Sequence, residues 1–247
     1  MLFSQQILEL IRNGIGETLC MVIISTVISY MIGIPLGIIL VVTDKEGIRP
    51  IPALQKVLGL IINLLRSVPF LILLIMMIPV TRKLVGTSLG WRAVVPPLVA
   101  SAAPYIARMV ESSFKEIDAG VIEAAKSMGA STFQIIWKVI LPESLPSLVA
   151  SFTTAFITIL GYGAMAGAIG GGGLGKIAIN YGYYKYNYAV MLIAVVFIVV
   201  LVQIFQSLGT SLATRTDHRI TNRAGRRKLR RNVSRQKNRD KRSPGGM

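Results

Sequence analysis

Two stretches of the chain carry residue types at spacings that could do chemistry. The first, GGGGLGKI at residues 170–177, nearly matches the phosphate-binding pattern G-x-x-x-x-G-K-[ST] through Gly170, Gly175 and Lys176. Ile177 stands where that pattern needs the hydroxyl that holds Mg²⁺, and the run follows a long apolar segment instead of a short buried strand. We therefore expect these glycines to allow a tight turn or a broken helix, not to bind a nucleotide.

The second stretch, EAAKSMGASTFQIIWKVILPESLP at residues 123–146, is amphipathic in a chain that is 53% hydrophobic. Its lysines, glutamates and hydroxyl side chains lie between two long apolar runs. Such a segment suits contact with water or with another protein, so its role depends on the elements that position it.

Side chains for catalysis or metal binding are scarce. The only histidine is His218, near the carboxyl end, so the body of the chain has no imidazole for a proton relay or an ordinary histidine-ligated metal site. Cys20 is the only cysteine, which rules out an intrachain disulfide, and its apolar surroundings predict an inert packing residue. We expect no catalytic residue, no cofactor and no metal, so the chain is not expected to be an enzyme.

The composition separates an apolar body from a basic tail. Only 15% of the residues are charged, against about a quarter in soluble domains. Residues 215–247 hold 13 of the 27 Lys and Arg but 2 of the 11 Asp and Glu, a net charge of +11. We expect residues 1–214 to form an all-α membrane domain, and the tail to be disordered because it has too little apolar surface to fold alone.

Five charge-poor apolar runs are long enough for membrane-spanning helices, which need about 20 residues each. The third run is the weakest candidate, because three prolines and many small residues lower its hydrophobicity. Close packing against other helices would favour such residues. The five expected spans lie near residues 15–42, 56–80, 89–111, 144–168 and 187–212.

Five spans put the two termini on opposite sides of the membrane, and the positive-inside rule selects the orientation. With the amino terminus outside, the inner segments carry 21 Lys and Arg and the outer segments carry six. The reverse orientation would export the basic tail. We therefore expect a multi-pass protein of the cell membrane with a cytoplasmic carboxyl terminus, a cytoplasmic segment at 112–143, and the glycine run outside, away from ATP.

The segment at 112–143 is longer than a minimal connection and predicts two short helices. The first helix ends at Gly129, a residue suited to a left-handed carboxyl-terminal turn. Ala124 and Ala125 would give this helix a smooth patch that another protein can approach closely, with Glu123 at the rim.

The second short helix can be capped by Ser131 or Thr132. Its apolar residues recur at spacings of three, one and three, which places them on one face: Phe133, Ile136, Trp137 and Ile140. Pro142 disfavours a helical conformation for the residue before it, so we expect this helix to stop at Leu141. From the residues alone, an ordinary amphipathic surface loop is an equal alternative to a protein-docking segment.

The same stretch resembles the EAA loop of bacterial ATP-binding-cassette importer permeases. EAA at 123–125, a glycine at 129, and Leu-Pro at 141–142 match the pattern EAA-x3-G-x11-LP, whose fixed spacing makes chance agreement rare. In that family the loop contains a coupling helix that docks in a groove on the ATPase subunit. The resemblance implies that the ATPase-coupling positions are Glu123, Ala124, Ala125, Gly129, Leu141 and Pro142.

Further stretches resemble the methionine-importer permeases within that family, and the resemblance covers about residues 8–210. They are residues 63–90, 102–130, 161–175 and YGYYKYN at 181–187. The resemblance implies the type I importer permease fold and the import of methionine or a related amino acid. It also implies the partners: a second permease copy, two cytoplasmic ATPase subunits, and a substrate-binding lipoprotein outside.

Span four is the best candidate for the wall of the transport pathway, because its Gly, Ala, Ser and Thr residues permit close helix packing or a central passage. Tyr162 and Met165 are three residues apart, hence on one face, and would form an apolar gate for a flexible side chain. Packing at a dimer interface is the alternative for both residues. In span three, Arg108 and Glu111 are expected to pair, since they are at i and i+3.

The basic tail is expected to be a solvated segment that fixes the topology and lies against anionic lipid. Nucleic-acid binding is its alternative role, although the tail has no aromatic residue to stack on bases. Two rival functions are a membrane-tethered nucleic-acid-binding protein and a self-sufficient secondary transporter. The lack of a carboxylate pair within a span counts against a proton-coupled carrier. A permease for another small amino-acid-like ligand is the nearest competitor.

Overall fold

The computed structural model describes residues 5–216, and every regular element in that range is helical, which confirms the all-α prediction. The tail beyond residue 216, with its only histidine, lies outside the described residues, and so do residues 1–4. The α-helices are α1 (Gln5–Val42), α2 (Pro52–Ser67), α3 (Phe70–Met76), α4 (Ile78–Val85), α5 (Trp91–Lys115), α6 (Ala119–Ser127), α7 (Thr132–Ile135), α8 (Leu141–Ala166), α9 (Gly173–Ile179) and α10 (Tyr188–Thr216).

The helical bundle has two ends, which we name by their residues. The glycine end holds residues 167–175, and the loop end holds residues 112–143. Helix α1 starts near the glycine end, where Thr18 accepts a hydrogen bond from the amide of Leu174, and finishes at the loop end, where Asp44 pairs with Lys115. Helices α5 and α10 run in the same direction as α1, and α8 runs back between them.

Helices α1 and α5 pack closely because two glycines leave room on α1. A Cβ atom on Gly33 would lie 2.6 Å from Cγ2 of Ile106, and one on Gly37 would lie 2.6 Å from Cβ of Val110. Real Cβ atoms do not approach other carbons so closely, so these four-residue-spaced glycines are what lets the two backbones meet. Ile106 and Val110 are almost completely buried as a result.

Helix α5, which corresponds to the weakest predicted span, is the most buried of the long helices. In the most apolar 18-residue stretch of α5, 56% of the residues are buried. The corresponding shares are 33% in α1 and 11% in α10. Its prolines and small residues therefore suit the interior of the bundle, as the sequence predicts. The large apolar residues of α10 point outward instead, which is typical of a helix that faces lipid or another protein.

Four helical runs among the described residues are long and apolar enough to cross a membrane, and a fifth exists only if a bent pair counts as one span. That pair is α2 and α3, which meet at 97°. The expected span near 56–80 therefore corresponds to a bent pair of helices, and it stays a prediction that this pair crosses the membrane as one span. Pro69 restricts Val68 to an extended conformation with ψ of 123°, which ends α2 and redirects the chain.

Two smaller expectations also change. Helix α1 begins at Gln5, about ten residues before the expected span, and α10 runs two residues past the expected boundary at 214. Cys20 is exposed on α1, so the prediction of an inert buried packing residue is wrong for the single chain.

Candidate coupling segment and pathway wall

Helix α6, the first short helix of the candidate coupling segment, is followed by the left-handed turn that the sequence predicts. Gly129 has a φ of 79°, and no atom lies within 4 Å of the position its Cβ would take. The amide of Ala130 donates to the carbonyl of Ala125 at 3.1 Å, which closes the wide turn after the helix. Gly129 therefore sets the angle between α6 and α7.

The two alanines of the EAA stretch face different surroundings. Glu123 and Ala124 are exposed, whereas Ala125 is 4% exposed and belongs to the buried core. Neighbouring residues on a helix project in directions far apart, since each turn takes 3.6 residues. The expected smooth patch of two alanines is therefore wrong. Ala124 is open to a partner, and Ala125 holds α6 against the bundle.

Helix α7 begins with a reciprocal cap that the sequence allows. The amide of Gln134 donates to Oγ of Ser131 at 3.3 Å, and the amide of Ser131 donates to Oε1 of Gln134 at 2.8 Å. This capping box satisfies two amides that the first helical turn leaves without partners. Of the two expected caps, Ser131 is the one used.

The second helix does not stop at Leu141, so that prediction is wrong. A π-helical turn at Ile136–Ile140 joins α7 to α8, and the helical run is continuous over Thr132–Ile169. The amide of Leu141 donates to the carbonyl of Ile136, five residues back. This wider turn lets Pro142 follow without the usual clash between a proline ring and the carbonyl four residues earlier.

The expected apolar face of this helix is divided by the π turn. Phe133 and Trp137 are 68% and 54% exposed, and their rings lie 5.9 Å apart. Ile140 is 1% exposed and points into the bundle, and so does Ile135. The side chains turn through a smaller angle per residue in a π turn, which moves Ile140 off the aromatic face. The segment thus presents an aromatic pair outward and is anchored by two isoleucines.

A chain of ion pairs fixes the loop end behind this segment. Nη1 of Arg108 donates to Oε2 of Glu111 at 2.6 Å, which confirms the predicted pair. Nζ of Lys115 lies 3.0 Å from the other oxygen of Glu111 and 2.7 Å from Oδ2 of Asp44. The hydrogen bond from Lys115 lowers the pKa of Asp44 below its ordinary value. The network ties the end of α1 to α5.

Arg108 also connects α5 to α2. Its Nη2 donates to the carbonyl of Gly59 and to Oδ1 of Asn63, both at 3.0 Å. Because α2 precedes the bend, this one guanidinium holds the bent pair of helices against the core of the bundle.

The two predicted pathway residues on α8 have different environments. The ring of Tyr162 stacks on Phe70 of α3, with centroids 4.6 Å apart and planes 7° from parallel. Met165 is 50% exposed. Tyr162 therefore packs α8 against the helix beyond the bend, and Met165 has the side chain free to meet another molecule. A role for either in substrate contact stays a prediction.

At the glycine end the chain forms the broken helix predicted from the glycine run. Gly170 and Gly173 have φ of 88° and 76°, in the left-handed region. The amide of Gly173 donates to Oε2 of Glu17 at 2.6 Å, and the next amide donates to the hydroxyl of Thr18. Side chains of α1 thus accept the hydrogen bonds of the amides at the start of α9, and these are the amides that a bound phosphate would need.

Glu17 is the residue of this end that the sequence reading missed. Its signal is a carboxylate at the edge of a long uncharged run, where a charged side chain is costly unless it has a partner. Among residues 5–216, no group of three or more His, Cys, Asp or Glu is placed to hold a metal ion.

Residues 33–218 match the family described as the binding-protein-dependent transport system inner membrane component. The chain therefore belongs to this family, and the predicted resemblance to importer permeases is confirmed. Its relatives include a Vibrio cholerae protein named as a probable D-methionine transport system permease, which is 47% identical over 201 residues, 81% of this chain and 89% of the relative. An Escherichia coli D-methionine transport system permease is 47% identical over 66% of this chain and 76% of the relative.

Solved structures agree with these relatives. A chain of the MetNI methionine ABC transporter in an inward-facing conformation is 44% identical, with a TM-score of 0.85 over 87% of this chain and all of that chain. An amino acid ABC transporter is 22% identical with a TM-score of 0.69, a likeness that concerns the fold alone. The predicted importer-permease fold is confirmed.

Proposed function

We propose that this chain is the membrane permease subunit of an ATP-driven importer for methionine or a close relative. The observation that carries the proposal is the likeness to the methionine transporter chain, which extends over that chain's whole length at 44% identity. Relatives from two organisms with methionine-transport names support the same substrate class. ATP hydrolysis belongs to a separate subunit in this proposal.

The proposed assembly has two copies of this chain, two ATPase subunits in the cytoplasm, and a substrate-binding lipoprotein on the outer side. The amino terminus is outside and the carboxyl terminus is cytoplasmic, following the distribution of Lys and Arg. The loop end of the bundle then faces the ATPase, and the glycine end faces the lipoprotein.

In the proposed coupling contact, the exposed residues of α6 and α7 meet the ATPase. Glu123, Ala124 and the aromatic pair of Phe133 and Trp137 form this surface, and Gly129 sets its shape. Large aromatic side chains that are exposed on a single chain and flanked by polar residues are typical of protein interfaces. Closure of the two ATPase subunits would press the segment against the bundle through its buried anchors.

The remaining carried-over residues act behind that surface in our proposal. Ala125 and Leu141 pack inward, and Pro142 follows the π turn that aims α8. Along α8, Met165 would contact the substrate or the second copy of the chain, and Tyr162 would hold the wall in place through its stack on Phe70. A self-sufficient secondary transporter would not need the exposed surface at the loop end.

The test is uptake of radiolabelled methionine into proteoliposomes that contain this chain, its candidate ATPase and its binding protein. Gly129→Ala is compared with Gly86→Ala, because both glycines have a φ of 79° and open space around the Cβ position. Each alanine costs roughly 1–2 kcal/mol in this conformation. We expect ATP-dependent uptake to fall at least tenfold in Gly129→Ala and to stay near wild type in Gly86→Ala, which lies at the other end of the bundle.

Three outcomes would change the proposal. Uptake that needs no ATP would favour a secondary transporter. ATP-dependent uptake of another amino acid, with methionine excluded, would keep the mechanism and change the substrate. Equal losses in the two glycine variants would mean that general destabilisation, not the coupling segment, explains the defect. Adding Glu123→Arg, which reverses an exposed charge without burying one, should release the ATPase during size-exclusion chromatography.

A further inference from the structure

A small cavity of about 20 Å³ lies at the glycine end, where α3, α4 and α5 meet the turn that follows α8. Most of its lining is apolar and includes Leu74 and Val94. Two hydroxyl side chains also line it, Thr81 in the middle of α4 and Ser88 in the connection between α4 and α5. Two polar side chains of different elements thus share one mostly apolar space.

The hydroxyl of Thr81 has no hydrogen-bond partner among residues 5–216, although the residue is only 2% exposed. Thr18 and Thr153, which are also buried, donate to the carbonyl four residues earlier, at 2.8 and 3.1 Å. Thr81 does not form the equivalent bond to Met77, so its oxygen is left to the cavity that it lines. A buried hydroxyl without a partner is unfavourable, and nearly all such groups are paired with protein or with ordered water.

The cavity has the size of one water molecule. Roughly 10–15 Å³ of this kind of volume is enough for a single water, and small-molecule sites are more than ten times larger. Ser88 makes no side-chain hydrogen bond within the described part of the chain, so its hydroxyl is also available. A water molecule can both donate to and accept from the two hydroxyls, which an apolar occupant cannot do.

We propose that this cavity is the binding site of one ordered water, held by the hydroxyls of Thr81 and Ser88. A lipid acyl chain is the alternative occupant, since the family is one of membrane components. An acyl chain would leave the buried Thr81 hydroxyl without a partner, which is the unfavourable arrangement that a water removes. The water site does not depend on the proposed function.

The bound water has a consequence for the glycine end. The amide of Gly90 donates to the carbonyl of Gly170 at 2.9 Å, which links the connection after α4 to the turn after α8. Ile169 and Gly171 of the same turn line the cavity together with Thr81. The water therefore adds a polar contact from α4 to the place where this link is made, and we expect it to hold α4 and the turn together.

The site is tested by radiolytic labelling of the full chain in nanodiscs. A short X-ray exposure produces hydroxyl radicals from water, and these radicals oxidise side chains beside a bound water even where bulk solvent does not reach. Leu74 and Leu73 are matched neighbours on α3, 5% and 7% exposed, and of the two only Leu74 lines the cavity. We expect Leu74 to be oxidised several-fold faster than Leu73, although it is the less exposed residue.

Two variants separate the hydroxyl from the shape of the side chain. Thr81→Val keeps the shape and removes the hydroxyl, so oxidation of Leu74 should fall to the rate of Leu73. Thr81→Ser keeps the hydroxyl and should retain most of the oxidation. Thr81→Val should also speed hydrogen exchange at the amide of Gly90 by roughly two- to tenfold, the factor that corresponds to the loss of one hydrogen bond.

The direction of the stability change gives an independent readout. If a water pairs with Thr81, Thr81→Val loses a hydrogen bond and lowers Tm, whereas removing a hydroxyl that has no partner would raise it.

Equal oxidation of Leu74 and Leu73 in the wild-type chain would overturn the water site, because neither an acyl chain nor an empty cavity supplies radicals. A raised Tm for Thr81→Val would overturn it too, and so would oxidation of Leu74 that persists in this variant. Unchanged exchange at Gly90 would overturn only the link between α4 and the turn. If Thr81→Val does not fold, the comparison of Leu74 with Leu73 in the wild type and in Thr81→Ser still decides the question.

Discussion

Glu111→Gln is expected to be among the most damaging single-atom changes in the bundle. The Glu111 side chain is 7% exposed and receives Arg108 on one oxygen and Lys115 on the other, at 2.6 and 3.0 Å. Glutamine keeps the size of the side chain but removes its charge. It also turns one acceptor oxygen into a donor amide that faces a cation.

The expected cost follows from the surroundings of each cation. A hydrogen bond to a charged group contributes about 1.5–3 kcal/mol, which applies to the largely buried Arg108 contact. Lys115 is 48% exposed, so its contact contributes about 0.2–1 kcal/mol. Arg108 keeps its bonds to α2, so the loss does not reach the full cost of a stranded buried charge. We expect a loss of about 2–4 kcal/mol in the free energy of unfolding.

Thermal unfolding in mild detergent measures this loss, with the fluorescence of Trp91 and Trp137 as the signal. For a chain of this size a loss of 1 kcal/mol lowers Tm by about 2–4 °C, so Glu111→Gln should lower it by roughly 5–15 °C. Asp44→Asn is the matched control, because it removes one carboxylate from the exposed side of the same network. It should lower Tm by about 4 °C at most.

If Glu111→Gln lowers Tm no more than Asp44→Asn does, the argument that burial makes the Glu111 carboxylate the centre of the network is refuted. Arg108→Gln provides a second check. If the pair acts as one unit, Arg108→Gln combined with Glu111→Gln should cost clearly less than the sum of the two single changes.

Four further predictions concern single positions. Gly37→Leu should destabilise the bundle by at least about 1–3 kcal/mol in the same unfolding assay, whereas Gly16→Leu, where nothing lies within 4 Å, should be nearly neutral. Ser131→Ala removes the cap of α7. It should speed hydrogen exchange at the first amides of this helix by the factor that corresponds to a loss of about 1 kcal/mol in helix stability. Glu17→Gln should speed exchange at the start of α9, where a carboxylate favours the helix amino terminus by about 0.3–1 kcal/mol. Because the pKa of Asp44 is lowered from 3.8, its stabilising effect is complete above about pH 4 and disappears as the pH falls through the lowered value, and an acid titration of Asp44→Asn should lack this component.

The features that the sequence predicts correctly depend on neighbours a few residues apart. The turn at Gly129 follows from the conformational freedom of one residue at a helix end. The Ser131 cap and the pair of Arg108 and Glu111 depend on spacings of three residues along a helix. Each of these can be read from a short window of sequence, whatever the rest of the chain does.

The features that the sequence did not predict, or predicted wrongly, involve rules that ignore direction or that tertiary structure overrides. Hydropathy counts apolar residues but does not register that Pro69 turns the chain by 97° within an apolar run. The rule for residues before a proline fails at Leu141, which keeps helical angles with φ of −63° and ψ of −48° although Pro142 follows it. The bond between Glu17 and Gly173 joins positions 156 residues apart, and no local pattern encodes it.

The continuous helix over Thr132–Ile169 makes a mechanical connection between the two ends of the bundle. Its 38 residues correspond to a rod of about 57 Å at 1.5 Å per residue. No loop interrupts this helix. A displacement of the helix beside Trp137 must therefore rotate, shift or bend the whole helix, and so it also moves the residues at the glycine end. Bending should concentrate at the π turn and at Pro142 and Pro146, because neither proline can donate a helical hydrogen bond. The rod therefore acts as a lever whose stiffness is set near one end. From the π turn or Pro146 to Ile169 the arm is about 35–45 Å, so a tilt of about 10° would move the far end by roughly 6–8 Å.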